Sequence, residues 1–139
     1  TIPIADARYV NVVGDTMTGD LTVPNLIADT VKLDEADLTS GTSSTSFPFS
    51  STIYQFNDST YNSAELVITA TDGSDRHITK LLVVHDGTTA FATEFATIYT
   101  NASLATYEVS MSGGNVIVNA VAASSNSTTY NISATLLKD

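Results

Sequence analysis

Cysteine and tryptophan are absent from the 139 residues, and lysine and arginine together number five. Without cysteine there is no disulfide and no thiolate metal site, and the redox compartment stays open. The five basic residues, Arg8, Lys32, Arg76, Lys80 and Lys138, are scattered and face fifteen acidic ones, for a formal net charge of −10. A groove that tracks phosphates needs clustered positive charge, so nucleic acid is not expected as a partner. An anionic membrane surface would repel the chain as well. No run of 18 apolar residues occurs, so membrane insertion is not expected either. No signal peptide is visible, and the chain starts at Thr1 rather than Met, as a piece of a longer protein would.

Charge is scarce altogether, at 14% of residues against a typical ~25%. Thr, Ser and Asn stand in its place. The hydrophobic fraction is 42%, enough for a folded core. Many β-branched residues and few strong helix formers point to an all-β protein.

From Phe47 onward the pattern is regular. Strands are expected at Phe47–Phe56, Ala64–Thr71, Arg76–His85, Ala90–Tyr99, Leu104–Ser112, Asn115–Ala122 and Thr129–Lys138. Turn signals lie between them: "DGSD", "DGTT", "TNAS", "SGGN" and "SSNST". Alternation places Tyr130, Ile132, Ala134 and Leu136 on one face, and Thr129, Asn131, Ser133 and Thr135 on the other. The same period groups Phe91, Phe95 and Tyr99. "KLLVV", Lys80 to Val84, is continuously apolar and is expected to be a central strand covered on both faces. The whole reads as an antiparallel β-sandwich of seven or eight strands, jelly-roll-like or Ig-like.

Residues 1–38 differ. Gly14, Gly19 and Pro24 interrupt them, and short apolar alternations lack enough partners in one chain. "TSGTSSTS", residues 39–46, reads as a polar linker, the other reading being an ordered polar strand along a neighbour. The expected organisation is a spacer at 1–38, a linker at 39–46 and a β-sandwich domain at 47–139.

Two stretches resemble known families. "YVNVVGDTMTGDLTV", Tyr9 to Val23, is similar to the spacer segments of tailed-bacteriophage fibres, where a Gly-x-Thr-Met-x-Gly-x-Leu pattern recurs. Gly14, Thr16, Met17, Gly19 and Leu21 carry that match. Ser63 to Val118, through "VVHDGTTAF", "IYTNASLATYE" and "SGGNV", resembles a β-domain of marine cyanophage virion structural proteins. The resemblance implies a homotrimeric tail fibre or appendage at the virion surface, made in the bacterial host cytoplasm. The N-terminal segment would be an intertwined trimeric β spacer. Its candidate trimer interface is Val10, Val12, Met17, Leu21, Val23, Leu26, Ile27, Val31 and Leu33. Implied partners are two further copies, other virion proteins, and a host cell-surface glycan or outer-membrane protein. A purely architectural module, such as a capsid decoration or a baseplate or tail connector, is the alternative.

Catalysis is not expected. His77 and His85 are the only histidines, and at eight residues apart along a strand they lie about 26 Å from each other, too far to share a metal ion. Both are expected at the surface or beside turns. "HDGTT" offers His85, Asp86 and Thr88, yet Asp-Gly-Thr-Thr is what a hairpin turn needs. "DGSD", Asp72 to Asp75, lacks the ligand count of a calcium loop. Glu65, Glu94 and Glu108 sit on separate strands with nothing in the sequence to make them converge. No cofactor, metal or catalytic residue is therefore assigned, and the chain is expected not to be an enzyme.

Overall fold

A computed structural model describes residues 19, 20 and 22–139. Val10, Val12, Met17 and Leu21 lie outside the described residues. The described chain is all-β and antiparallel, with nine strands: β1 (Thr30–Lys32), β2 (Ala36–Thr45), β3 (Ser50–Asn57), β4 (Tyr61–Asp72), β5 (Asp75–His85), β6 (Ala90–Tyr99), β7 (Ala105–Ser112), β8 (Asn115–Ala122) and β9 (Thr128–Lys138). They form two stacked sheets. One has six strands in the order β1-β2-β9-β4-β5-β6, and the other has three in the order β3-β8-β7.

Alternation decides what lies between the sheets. Along β9, Tyr130, Ile132, Ala134 and Leu136 point inward and are buried. Leu66, Ile68 and Ala70 of β4 and Leu81 and Val83 of β5 meet them. Ile53, Phe56, Val116, Val118 and Ala120 of the small sheet close the core. Each fully buried Leu, Ile or Val contributes roughly 1.5–3 kcal/mol against leaving it in water. Turns are set by residues that tolerate positive φ. Gly73 (φ 56°) turns β4 into β5, and Gly113 and Gly114 (φ 60° and 78°) turn β7 into β8.

Three features depart from the sequence expectation. Residues 39–45 are not a linker but most of β2, paired with β9 from Ala36↔Leu137 to Thr45↔Thr128. Backbone hydrogen bonds hold this strand, so its small polar side chains need no apolar alternation of their own. At its centre Gly41 lets the Tyr54 ring lie directly on the backbone, 3.4 Å from where a Cβ would stand.

The second departure is β5. "KLLVV" is covered on one face only: Leu81 and Val83 are buried, while Leu82 and Val84 remain 45% and 50% exposed. The third is a bulge in β6. Lys80 pairs with Phe95 and Ile78 with Ile98, so two residues of β6 oppose Thr79 alone. Ala96 takes φ 54° to make it. The extra residue flips the parity: Phe91, Phe95 and Ile98 face outward, and Tyr99 turns in toward His77 instead of sharing their face.

Candidate functional site

The small sheet covers the inner face of the large one, and the large sheet's outer face stays open. Two different surfaces share that face. Across β2, β9 and β4 it carries Ser40, Thr42, Ser44, Asn131, Ser133 and Thr69, at adjacent register positions. These side chains are exposed or half-exposed. Thr42 Oγ1 donates to Tyr130 O at 3.1 Å and Thr69 Oγ1 to Asn131 O at 3.4 Å. Their hydroxyl protons are thus turned toward the sheet, and their lone pairs face out as acceptors. Asn131 adds an amide with both donors and acceptor.

Across β5 and β6 the same face is apolar. Ile78, Leu82, Val84, Phe91, Phe95 and Ile98 are all at least 40% exposed. An open groove of about 740 Å³ runs here, lined by Glu65, Leu82, Val84, Phe91, Thr93 and Leu137 among others. Its charges cancel: Lys80 Nζ stands 3.4 Å from Glu65 Oε1.

Of the expected trimer-interface residues that the structure describes, Val23, Leu26, Ile27, Val31 and Leu33 are exposed, Ile27 almost fully. Val31 lies in β1 opposite Leu38, which is also exposed. The remaining four lie outside the described residues.

A second, polar cleft of about 280 Å³ opens between β1, β2 and β3, near Asp37, Thr39, Tyr54, Gln55 and Tyr61. Asp37 is buried there but not alone. The Tyr61 hydroxyl donates to its Oδ2, and Lys138 Nζ approaches Oδ1 at 3.1 Å. The Tyr61 bond, aided by Lys138, holds the Asp37 carboxyl below the usual carboxylate range, and the same bond raises the Tyr61 phenol. Lys138 Nζ also donates to the carbonyls of Leu33 (2.6 Å) and Asp34 (3.2 Å). The cluster therefore ties the β1–β2 turn to β9, and its carboxylate is consumed in that tie.

The histidines part company. His85 sits at the end of β5, where its Nε2 donates to Tyr61 O at 2.7 Å and its Nδ1 accepts the Gly87 N–H at 3.0 Å. In the turn that follows, Asp86 Oδ1 accepts from the Thr88 hydroxyl (2.8 Å) and from the N–H groups of Thr88 (2.9 Å) and Thr89 (2.7 Å). The Thr88 hydroxyl leads in pulling the Asp86 carboxyl down to about 2. "HDGTT" is thus a hairpin turn in which Thr88 serves the aspartate rather than a substrate.

His77 is not at the surface, as the sequence suggested, but buried. It faces inward with Thr79, Leu81 and Val83, and packs edge-on against Tyr99 at 5.8 Å between ring centroids. Leu104 N–H donates to its Nδ1 at 3.3 Å, so the neutral ring carries its proton on Nε2. Burial lowers its pKa, opposed by the Glu94 charge. Nearby, the Tyr107 ring lies 6.3 Å from Tyr130 and 6.4 Å from His77. Burial pushes the Tyr130 phenol up to about 12 and the Tyr107 phenol further in the same direction. No signal in the sequence distinguished this inward histidine, because its parity depends on the register of β5.

Among the described residues no group of three or more His, Cys, Asp or Glu side chains is placed to hold a metal ion. Glu65, Glu94 and Glu108 lie on β4, β6 and β7, and Glu65 is engaged by Lys80.

No protein-family model matches the chain, and no curated protein sequence matches it. Three of the solved structures it is similar to are phage tailspike proteins. Against the tailspike of Acinetobacter phage vB_ApiP_P1 the TM-score is 0.45 at 14% identity, over 91% of this chain and 26% of that one. Against the tailspike of Acinetobacter baumannii phage AM24 it is 0.45 at 9% identity, over 73% and 26%. Against the tailspike of Acinetobacter baumannii bacteriophage Fri1 it is 0.41 at 15% identity, over 79% and 20%. This chain therefore spans about a quarter or less of the length of those proteins. The Fri1 tailspike is described as a capsular polysaccharide depolymerase, which is an enzyme. That finding corrects the expectation of a non-enzymatic chain, which rested on the absence of a convergent carboxylate pair in the sequence alone.

Proposed function

We propose that this chain is a module of a homotrimeric phage tail appendage, carried on the virion surface, that meets a neutral glycan on the host cell. The observation that carries the reading is the open, uncharged hydroxyl and amide half of the large sheet's outer face. Thr42, Ser44, Thr69, Asn131 and Ser133 present acceptors and donors at strand spacing, on a chain whose net charge is −10. Keeping a face free of that charge suits a neutral polyhydroxyl partner, whose hydroxyls match the available lone pairs. The segment ahead of β1, with Val10, Val12, Met17 and Leu21, is proposed to intertwine with two other copies, while Val23, Leu26 and Ile27 gain cover from the same association.

The test is retention of the full chain on immobilised host cell-surface polysaccharide, with and without salt at roughly 0.5 M, about three times physiological ionic strength. Retention that survives the salt is expected, because neutral hydrogen bonding is not screened. Failure to bind encapsulated cells and purified polysaccharide alike would overturn the glycan reading. The length of the polysaccharide after incubation, followed by gel filtration, reads out cleavage in the same experiment.

A further inference from the structure

We infer that β6, together with the outer face of β5, is the surface through which copies of this chain join. The inference rests on the homotrimeric reading above and assigns it an interface that the N-terminal segment does not supply.

Three independent properties point there. The first is the edge. Among the described residues β6 pairs with β5 on one side and with no strand on the other, over ten residues. Sheet edges in soluble proteins are ordinarily kept short or blunted with lysine or proline. The opposite edge of this sheet follows that rule: β1 has three residues and includes Lys32. β6, "AFATEFATIY", has neither lysine nor proline, and Glu94 is its one charge.

The second is cover. From Phe91 to Tyr99 every residue of β6 is exposed, although alternate residues point to opposite sides. The inner side chains of the adjacent small-sheet edge, Tyr107, Val109 and Met111, are also only partly buried. The sandwich is therefore unfinished along this side, in a region built almost wholly of apolar and threonine side chains.

The third is size and charge. The six apolar side chains of the β5–β6 face leave open an area on the order of 600 Å², at the upper end of what a monomer tolerates. With Leu137, which borders the same groove, the area falls within the roughly 600–1,000 Å² per partner of a standard stable interface. Two copies each carrying −10 repel over most of their surfaces. On this face the Lys80–Glu65 pair is internally neutralised, so like copies meet here without facing charge against charge. A second copy is the partner that fits, since three such faces can close around one axis and hide their edges together.

The experiment compares the full chain with the double variant Val84→Asp/Phe95→Asp, by light scattering on a sizing column with circular dichroism as the check on folding. The wild-type mass is expected at three chains, and the variant, held by the N-terminal segment alone, is expected to fall to one third of that mass at a protein concentration at least tenfold above that at which the wild type does, with an unchanged β spectrum. Asn131→Asp on the hydroxyl half is expected to leave the mass at three chains. A variant that dissociates at the same concentration as the wild type overturns the β6 interface while the trimer survives. A monomeric wild type overturns the trimer reading itself. Should the double variant not fold, hydrogen exchange of the wild type decides. Amides of Ala90 to Phe95 that become at least tenfold slower to exchange above the assembly concentration support the interface. Amides that exchange equally fast above and below it overturn the interface.

Discussion

The two halves of the large sheet's outer face share one backbone lattice and differ in chemistry. On β2, β9 and β4 most outward residues are Ser, Thr and Asn, with Leu38, Val67, Glu65 and Leu137 among them; on β5 and β6 most are Ile, Leu, Val and Phe, with Lys80 and Thr93 among them. Water satisfies the first half completely. It is a poor solvent for the second, and the chain's own small sheet lies on the other side. The difference teaches that an uncovered strand is not one kind of object. The hydroxyl half is hydrated as it stands and can meet a polar ligand, whereas the apolar half is left uncovered by the described residues.

The sharpest way to break this comparison uses two neighbours in β5. Leu81 points into the core and Leu82 out of it, at 2% and 45% exposure. Leu81→Ala is expected to cost about 2–5 kcal/mol in urea unfolding at every protein concentration. Leu82→Ala is expected to cost under ~0.5 kcal/mol in dilute solution, as surface changes do, and more only where copies associate. Equal losses in dilute solution would mean that the outer face is already covered by the chain itself.

A second test separates covered from uncovered by charge. The folded pKa of His77 lies below its ordinary value of 6.5, because burial among Tyr99, Tyr107 and the Leu104 backbone disfavours the cation. Glu94 on β6 is the charge that opposes this. A depressed histidine leaves stability intact above pH 6.5 and removes it as pH falls below that, since the unfolded chain then binds the proton more readily. The melting temperature is expected to fall between pH 7 and pH 5, and His77→Gln is expected to flatten that slope. The fall from Asp37 and Asp86 comes at lower pH, because their carboxyls are depressed and their contribution goes only as they protonate. A wild-type melting curve flat from pH 7 to pH 5 would contradict the burial of His77.

Smaller still is the change at the bulge. Ala96 holds φ 54° at a cost of about 1–2 kcal/mol for an L-residue, and glycine relieves this while losing ~0.5–1 kcal/mol of backbone entropy. Ala96→Gly is expected to gain about 0.5 kcal/mol of unfolding free energy, read as a higher urea midpoint, whereas Ala96→Val loses stability. On the hydroxyl half, Thr69→Val with Ser133→Val is expected to stay within about 0.5 kcal/mol of wild type. The same pair of changes makes this half apolar, so light scattering is expected to report larger assemblies. If it does not, the contrast between the halves has less to do with association than the structure implies.

Much of this fold was legible in the chain. Tyr130, Ile132, Ala134 and Leu136 announce β9 by period two, and Gly73 and Gly113 mark their turns. β2 was not legible, because Thr39 to Thr45 form a strand through backbone pairing with β9, which leaves no apolar trace. The bulge was not legible either: nothing in "FATEFATIY" tells that Ala96 accepts positive φ, and without it Tyr99 falls on the wrong face. "KLLVV" was read as doubly covered for a sound reason, since continuous apolarity does imply cover on both sides. The sequence does not say whose atoms provide it. Of the candidate site, the Thr/Ser/Asn rows were visible as composition, but their gathering on one half-face required the strand order.

That strand order also has a consequence in time. β9 lies between β2 and β4, yet some eighty to one hundred residues separate it from β2 in the chain. A ribosome delivers β2 and β4 first, and their facing edges have no partner until Thr128–Lys138 emerges. The β4–β5–β6 meander can form early from local contacts, while the β1–β2 ribbon must wait. Closing the sheet is then the last act of synthesis for this domain, a slide fastener drawn shut from inside rather than from its edge.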